Sequence, residues 1–373
     1  LYDFVDANAL EFYTSGEQAA AKPADAFELP ATGPIFDPLD AFLAWKIETA
    51  DPQSPTFKAV KLYQELLGFH QKAENADALV DWNLDRLRFG HNKAFGEEKA
   101  ARYKAALERF VDRWGDHEIS ARARHAWATI LREEGKLVEA HKLAQQGWQA
   151  FPQSPGGLLC YNLIEQIEAP SATISTERVW NRPWPTIDVT YRNVTKVHFR
   201  LVAREFEKEL AASPGRHPDE LDNDQRKAVL AARATLAWSA DLPATDDYQT
   251  RVEELPAPQD VKPGYYYLIA SHDPSFDDSD NVVSYTPVWV SNLALVMRTR
   301  SGSVVFEGFV LDAETGEPIQ GAEVRAWAQQ SWRQGYLPLK PVKTDANGLF
   351  RIQGRSRHTH ILVAQQEEQQ LAT

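Results

Sequence analysis

The stretch VVFEGFVLDAETGEPIQGAEVRAWA at residues 304–328, with PVKTDANGLFRIQG at 341–354 and HILVAQ at 360–365, decides the fold of the C-terminal part of this chain. Short apolar runs are broken by Gly, Pro and Asn-Gly, which is the punctuation of a β-sandwich. The stretches 304–328 and 341–354 each contain such breaks, whereas 360–365 is predicted to be one uninterrupted strand. This part of the chain is therefore predicted to be an antiparallel β-sandwich.

The turns inside these runs have a clear chemistry. We expect Thr315-Gly316-Glu317-Pro318 to close one hairpin and Asp345-Ala346-Asn347-Gly348 to close another, with Gly348 available for positive φ. Gly321-Ala322 permits a tight re-entry into the next strand. All of these are structural residues.

Strand patterns continue upstream of the quoted stretch. Apolar and polar residues alternate over 187–201, and the pair Arg192-Asn193 is predicted to be a turn. The charged, Ala-rich segment 205–238 interrupts the strands, and we interpret it as a helical insertion with Asp222 or Asp224 as N-cap. Further strands are predicted in YYYLIAS from Tyr265, VVSYTPVWVSN from Val282 and LALVMRT from Leu293.

The N-terminal half has a different period. From Phe57 to about Ala169 the apolar residues recur at helical spacing, which predicts a set of antiparallel helices. The segment from His125 to Pro155 resembles one tetratricopeptide repeat, because small alanines allow close helix packing and Gly135 marks the turn between two helices. We therefore expect a repeat-like helical region.

Composition narrows the classes of function. The 373 residues carry a net charge of −13, so no basic surplus is available for nucleic-acid phosphates. Cys160 is the only cysteine, which excludes an intrachain disulfide and Cys-based zinc or redox sites. No apolar run approaches the roughly 20 residues that span a bilayer. Leu1 is not expected to be the natural start of translation.

A family resemblance follows from residues 290–354. The order VSNLALVMRT, GFVLDAETGEPIQGAEVRAW, KTDANGLFRI resembles the second macroglobulin domain of bacterial alpha-2-macroglobulins. The segment VTYRNVTKVHFRLVARE at 189–205 resembles the first such domain, and an upstream helical region fits the N-terminal part of the large bacterial members. The TGEPIQGA and TDANG pattern is also similar to carboxypeptidase-regulatory-like modules.

The resemblance implies an α+β multidomain chain with three parts: a helical, tetratricopeptide-like region at 1–173, a macroglobulin-like β-sandwich at 174–290 with its helical insertion, and a second macroglobulin-like β-sandwich at 291–373. It also implies a non-catalytic scaffold of an extracytoplasmic endopeptidase inhibitor in the periplasm or cell envelope, whose partners are proteases. Family members trap proteases through a cleaved bait, and many carry a Cys-x-Glu-Gln thioester. No such motif occurs in this sequence, so any bait or thioester is expected after Thr373.

Several residues were weighed as sites against plain structural roles. His358 and His360 have a metal-compatible spacing, but no third ligand is evident. The acidic run 273–280 offers oxygen ligands for calcium, yet it lacks the helix-loop-helix calcium pattern and reads as a solvated loop. Sequence spacing places no activating base next to Cys160, so this residue is expected to be a small buried hydrophobic side chain.

Two aromatic groups remain. Trp180 and Trp184 lie in a proline-rich connector, for which packing between the helical region and the first sandwich is favoured over partner binding. The second group consists of Trp327, Trp332 and Tyr336, which we expect to lie in a long loop. We assign these side chains to packing, which is favoured over ligand binding.

Common enzyme signatures such as G-x-S-x-G, the phosphate-binding G-x-x-x-x-G-K-[ST] and H-E-x-x-H do not occur. We therefore predict no enzyme, no cofactor and no catalytic, cofactor-binding or metal-binding residue. The alternative to the inhibitor scaffold is a protein- or glycan-binding module of the cell envelope, in which the helical region binds a protein partner. That alternative predicts a concave helical face with exposed aromatic residues.

Overall fold

The computed structural model describes residues 2–14, 25–212, 215–277, 281–298, 305–331, 335–355 and 358–373. The chain divides into two compact units, Leu1–Glu168 and Ala169–Thr373, which we call the helical unit and the β unit. The first is built from helices and the second mainly from antiparallel sheets. The predicted fold class, a helical region followed by β-sandwiches, is confirmed.

The helical unit begins with a helix, a short 3-10 turn (Pro34–Phe36) and a five-residue helix, and six longer helices follow. Side chains cap the first two of these six helices: Ser54 Oγ accepts from Phe57 N, and Asn75 Oδ1 accepts from Ala78 N. The described helices are α1 (Tyr2–Thr14), α2 (Leu39–Leu43), α3 (Pro55–Lys72), α4 (Ala76–Lys93), α5 (Lys99–Trp114), α6 (Ser120–Glu133), α7 (Leu137–Ala150) and α8 (Pro155–Glu168). None of them has the length and apolar character required to cross a membrane.

The tetratricopeptide-like segment folds as the helical hairpin α6–α7. Gly135 turns the chain between the two helices at φ +77°, a value that glycine adopts without steric cost. Ala128, Ala140 and Ala144 are fully buried at the contact between the helices. Small side chains at these positions let the helix backbones approach closely, as the sequence predicted.

The β unit contains sixteen described strands in four sheets. The strands are β1 (Ser171–Thr176), β2 (Val179–Trp180), β3 (Thr186–Arg192), β4 (Lys196–Arg204), β5 (Leu236–Asp241), β6 (Arg251–Pro256), β7 (Gly264–Ser271), β8 (Ser284–Val290), β9 (Leu293–Arg298), β10 (Val305–Asp312), β11 (Glu323–Ser331), β12 (Gly335–Pro338), β13 (Val342–Lys343), β14 (Leu349–Gln353), β15 (His360–Gln366) and β16 (Gln369–Ala372).

The first sandwich packs the sheet β1-β3-β6 against the sheet β2-β8-β7-β4-β5. Its core contains Val189 and Tyr191 from the small sheet and Phe199 and Leu268 from the large one. The predicted turn after β3 is confirmed by Asn193 at φ +56°. This turn passes the chain from one sheet to the other, so β3 and β4 face each other across the core and do not pair.

The predicted helical insertion is confirmed as α9 (Phe206–Ala212) and α10 (Asn223–Ala231). Of the two proposed caps, Asp222 is the one used: its carboxylate accepts from Gln225 N, and the Gln225 side chain accepts from Asp222 N. Phe206, Leu210 and Val229 from these helices share a buried cluster with β7. Because β7 is covered on both faces, its sequence GYYYLIAS has no polar face.

The second sandwich packs the sheet β14-β10-β9 against β12-β11-β15-β16, with β13 paired to β11. Gly316, Gly321 and Gly348 all adopt positive φ, as their turns require. The strands joined through these turns, β10 to β11 and β13 to β14, lie in different sheets. The turns close as predicted: Leu311 forms an antiparallel bridge with Pro318, Asp312 N donates to the Glu317 carbonyl oxygen at 2.9 Å, and Asp345 N donates to the Leu349 carbonyl oxygen at 3.0 Å. Beyond these short ladders the longer strands separate into the two sheets.

Candidate functional site

The two histidines with metal-compatible spacing, His358 and His360, lie just before and at the start of β15 in the second sandwich. His360 opens β15, its Nε2 accepts from Arg355 N at 3.0 Å, and its ring centroid lies 4.4 Å from that of Phe306. Burial lowers the pKa of His360, so the ring is neutral near pH 7. Among the residues described, no group of three His, Cys, Asp or Glu side chains converges for a metal.

The acidic run after β7 forms a local turn, and residues 278–280 of this run lie outside the described residues. Asp273 Oδ1 accepts from Ser275 N at 2.8 Å, and Ser271 Oγ accepts from Asp273 N at 2.9 Å. The hydrogen bond that the Ser275 backbone donates to the Asp273 carboxylate holds the pKa of Asp273 below its usual range. The Asp273 carboxylate therefore shapes the loop backbone.

Cys160 is fully buried in α8 against α6 and α7. Its Sγ donates to the carbonyl oxygen of Ala121 at 3.3 Å, and a Cβ added at Gly147 would stand 2.6 Å from the sulfur. Burial raises the pKa of the thiol to about 11, against the opposing charge of Arg124. The thiol is thus protonated, enclosed and unsuited to nucleophilic chemistry.

Both proposed aromatic groups belong to the packing of the β unit. Trp180 is 1% exposed in the first sandwich, where its Nε1 donates to Thr176 Oγ1 at 3.1 Å, and Trp184 packs partly buried on the same core. Trp327 and Tyr336 lie in the paired strands β11 and β12 and pack on the second core. The expected long loop around them is wrong, and Trp332 lies outside the described residues.

A buried polar centre in the β unit was missed by sequence reasoning. Tyr265 donates to Asp219 Oδ1 at 2.9 Å, and its oxygen lies 3.0 Å from the Tyr267 hydroxyl, which donates to the Pro218 carbonyl. Arg178 Nη2 lies 3.0 Å from Asp219 Oδ2. Burial raises the pKa of both tyrosines, so their hydroxyls remain protonated. We call this centre the tyrosine cluster. Both tyrosine hydroxyls and both oxygen atoms of the Asp219 carboxylate have a hydrogen-bond or ion-pair partner.

One concave surface of the helical unit is a groove formed by two adjoining depressions of 730 and 860 Å³. The depressions share Ala7, Asp81 and the half-buried Trp82. The larger depression is lined by four carboxylates, Asp77, Asp81, Asp116 and Glu118, and by His117. A helical unit with an aromatic and acidic groove is suited to bind a chain segment.

Some groove charges are already paired. His117 Nε2 lies 2.9 Å from Asp77 Oδ1, and Arg122 Nη1 lies 3.4 Å from Asp81 Oδ1. Tyr63 donates to Asp85 Oδ2 at 2.6 Å, and burial beside this carboxylate raises the pKa of the tyrosine. No sequence motif pointed to this groove, because its residues come from helices far apart in the chain.

Comparisons with known proteins were made for the sequence and for the fold. No protein-family profile matches the sequence, and no curated protein matches it. Among solved structures, native alpha-2-macroglobulin from Escherichia coli spanning domains MG0-NIE-MG1 is similar to 55% of this chain over 64% of its own length, at 18% identity and a TM-score of 0.43. The match therefore spans just under two thirds of that chain.

Two further solved structures that are similar to this chain are also described as bacterial alpha-2-macroglobulins. The Escherichia coli alpha-2-macroglobulin fragment spanning domains NIE-MG1 covers 55% of this chain and 97% of its own length, at 14% identity and a TM-score of 0.41. A Salmonella alpha-2-macroglobulin mutant covers 54% of this chain over 12% of its own length, at 16% identity and a TM-score of 0.39. The family named from the sequence thus recurs among similar structures.

Proposed function

We propose that this chain is a non-catalytic scaffold segment of a large bacterial alpha-2-macroglobulin-like endopeptidase inhibitor. The observation that carries the proposal is the second sandwich: the residues of the family resemblance, 290–354, form the strands and turns of a two-sheet domain. In this proposal the domains are 1–173, 174–290 and 291–373. Any bait and thioester lie elsewhere in the parent protein.

The internal packing of the β unit supports a mechanical role. A trap that rearranges after cleavage needs domains that move as rigid bodies, because close-packed cores do not deform continuously. The cores of the β unit contain large enclosed rings, Trp180, Trp289 and Phe350 among them. The one thiol is buried and protonated, so this segment would contribute structure and not covalent capture.

The proposal places the parent protein in the periplasm or cell envelope, with proteases as its targets. The single cysteine fits the cytosol and the periplasm equally well, so the proposed location rests on the family resemblance alone. Fractionation of cells that express the tagged parent tests the location. Recovery of the parent in the cytosolic fraction would contradict it.

The inhibitor role has a direct test. Purified residues 1–373 at equimolar concentration should leave several unrelated proteases fully active, whereas the parent should slow them towards large substrates. The parent sequence should also contain further sandwich domains. Inhibition by residues 1–373 alone would show that the proposed division of labour is wrong.

A matched pair of glycine variants in the parent tests the scaffold itself. A Cβ at Gly348 would stand 2.6 Å from the Val310 carbonyl oxygen, whereas a Cβ at Gly321 has no atom within 4 Å. Both residues have positive φ, so both alanine variants carry the same type of backbone strain. Gly348→Ala should reduce protease trapping more than Gly321→Ala does, and equal trapping by the two would contradict a role for this sandwich.

The groove of the helical unit favours a second candidate function, binding of a protein segment in the envelope. Trp82 and the carboxylates of the larger depression suit a basic segment with an apolar anchor. The partner should bind the full chain and lose affinity with Trp82→Ala. Unchanged affinity in Trp82→Ala, with Trp148→Ala on α7 as control, would remove the groove as the binding site.

A further inference from the structure

Arg86 on α4 is a buried cation with unused hydrogen-bond donors. It is 2% exposed, its guanidinium carbon lies 4.6 Å from the centroid of the Phe42 ring, and its Nη2 donates to the Asp37 carbonyl oxygen at 3.1 Å. Within the part of the chain that the structure describes, no atom accepts from its Nε or Nη1. Buried charges in proteins are normally paired, because desolvation is costly.

Arg86 lines a cavity of 170 Å³ between α4, α5 and the segment before α2. Arg109 and Arg113 on α5 line the same cavity and are exposed, so the cavity runs from a buried arginine to two arginines in contact with solvent. Ala106 on α5 also lines the cavity, and its small side chain fills little of it. Asn83 also lines the cavity.

The charges around this cavity do not balance. Asp37 is the only carboxylate among the cavity-lining residues, and its Oδ1 is held by Arg102 Nη2 at 2.5 Å. Arg109 and Arg113 are four residues apart on one helix, where like charges repel. Burial lowers the pKa of Arg86 to about 9, so the guanidinium stays charged at neutral pH. A local excess of positive charge in a chain of net charge −13 needs an explanation.

We propose that this cavity binds one small oxyanion of the carboxylate or phosphate class, held between Arg86, Arg109 and Arg113. Guanidinium groups match the oxygen atoms of such anions and form short, charge-assisted hydrogen bonds with them. The cavity volume accommodates a single group of this size. The anion is either a free ion or the carboxylate of another chain, and both would meet the same donors.

Thermal unfolding and calorimetric titration of residues 1–373 with inorganic phosphate test the site. Bound phosphate should raise the Tm in proportion to ln(1 + [L]/Kd), relative to chloride at matched ionic strength. Phosphate also stabilises folded proteins in general, so the readout is the difference between variants. Arg86→Met should lose the specific part of the rise, because methionine fills the apolar surroundings without the charge.

Arg88→Met is the matched control, because its side chain is 69% exposed on the same helix and lies outside the cavity. It should keep the full phosphate response. If Arg86→Met does not fold, the exposed pair Arg109→Gln and Arg113→Gln replaces it and should weaken phosphate binding about tenfold. A phosphate response that is equal in wild type and in the cavity variants would overturn the proposal.

A competition experiment separates the two sources of the anion. A tripeptide with a free C-terminal carboxylate and the same tripeptide with a C-terminal amide are each added to the phosphate-bound protein. Displacement by the acid alone supports binding of a chain terminus, whereas retention of phosphate against both supports a free ion. Displacement by both peptides alike would contradict an anion site. No protease is involved, so the result is independent of the proposed inhibitor role.

Discussion

The two units each bury a polar centre, and the two centres differ in how completely their hydrogen bonds are formed. In the β unit, the hydroxyls of Tyr265 and Tyr267 and the carboxylate of Asp219 all have partners. In the helical unit, Arg86 has two nitrogen atoms for which the described residues supply no acceptor. A saturated centre stabilises the fold, whereas an unsaturated one is a cost that a ligand can remove.

This comparison can be tested only if the two units can be observed separately, and Cys160 allows this. Its pKa of about 11, compared with 9.0 for an unperturbed thiol, reduces the thiolate fraction at pH 8 roughly 100-fold. We expect 5,5′-dithiobis(2-nitrobenzoic acid) to react at least this much more slowly with the native chain than with the denatured one. The rate of colour formation during urea unfolding then reports on the helical unit alone.

The same thiol gives the helical unit a defined pH dependence. Because the folded pKa is raised, the contribution of the protonated thiol to stability is fully present below pH 9 and is lost as the pH rises towards 11. Cys160→Ala should remove this part of the alkaline loss. Native reaction as fast as that of the denatured chain would contradict the buried position.

Breaking the hydrogen bonds of the tyrosine cluster should lower stability strongly. Asp219→Ala removes the charged acceptor of the buried Tyr265 hydroxyl, which keeps only the Tyr267 oxygen at 3.0 Å, and also removes the partner of Arg178. The free energy of unfolding of the β unit should fall by about 2 kcal/mol. Urea denaturation followed by tryptophan fluorescence reports on both units, so the Cys160 reaction is followed in parallel and the transition that does not expose Cys160 is assigned to the β unit. Asp241→Ala is the control, because Asp241 pairs with Lys196 with its side chain 84% exposed, and it should change little.

A smaller effect is expected at the neighbouring ring. Tyr267→Phe keeps the packing of the ring but removes the donor to the Pro218 carbonyl, so the β unit should lose about 1 kcal/mol. The same denaturation experiment applies. The partly exposed Tyr161→Phe on α8 should leave the β unit unchanged, and a loss as large as that of Tyr267→Phe would indicate an indirect cause.

The smallest change is expected at the unsaturated centre. In phosphate-free buffer, Arg86→Met should alter the stability of the helical unit by less than about 1 kcal/mol or raise it, since replacing a poorly paired buried charge by an apolar side chain is often neutral or favourable. The Cys160 reaction measures it. A loss comparable to that of Asp219→Ala would show that Arg86 is already satisfied within the fold.

The sequence predicted most of the elements but few of their long-range partners. Helical spacing predicted the antiparallel helices, Asp222 was among the predicted caps, and the glycines at 316, 321 and 348 were assigned to turns. These are local properties, set by backbone sterics and by hydrogen bonds over a few residues. The long loop expected between Trp327 and Tyr336 was wrong because β11 and β12 pair from Trp327 with Pro338 as far as Ser331 with Gly335.

What the sequence determined by itself is the type of most segments: helices before Glu168, strands and turns with one helical insertion after it, one isolated thiol and no familiar catalytic motif. Tertiary structure alone decided which strands share a sheet, why the tyrosines of β7 are buried on both faces, and where Arg86 meets Arg109 and Arg113. The physical reason is distance along the chain. A cap or a turn is complete within a few residues, whereas a sheet, a groove or a cavity exists only when remote segments pack together.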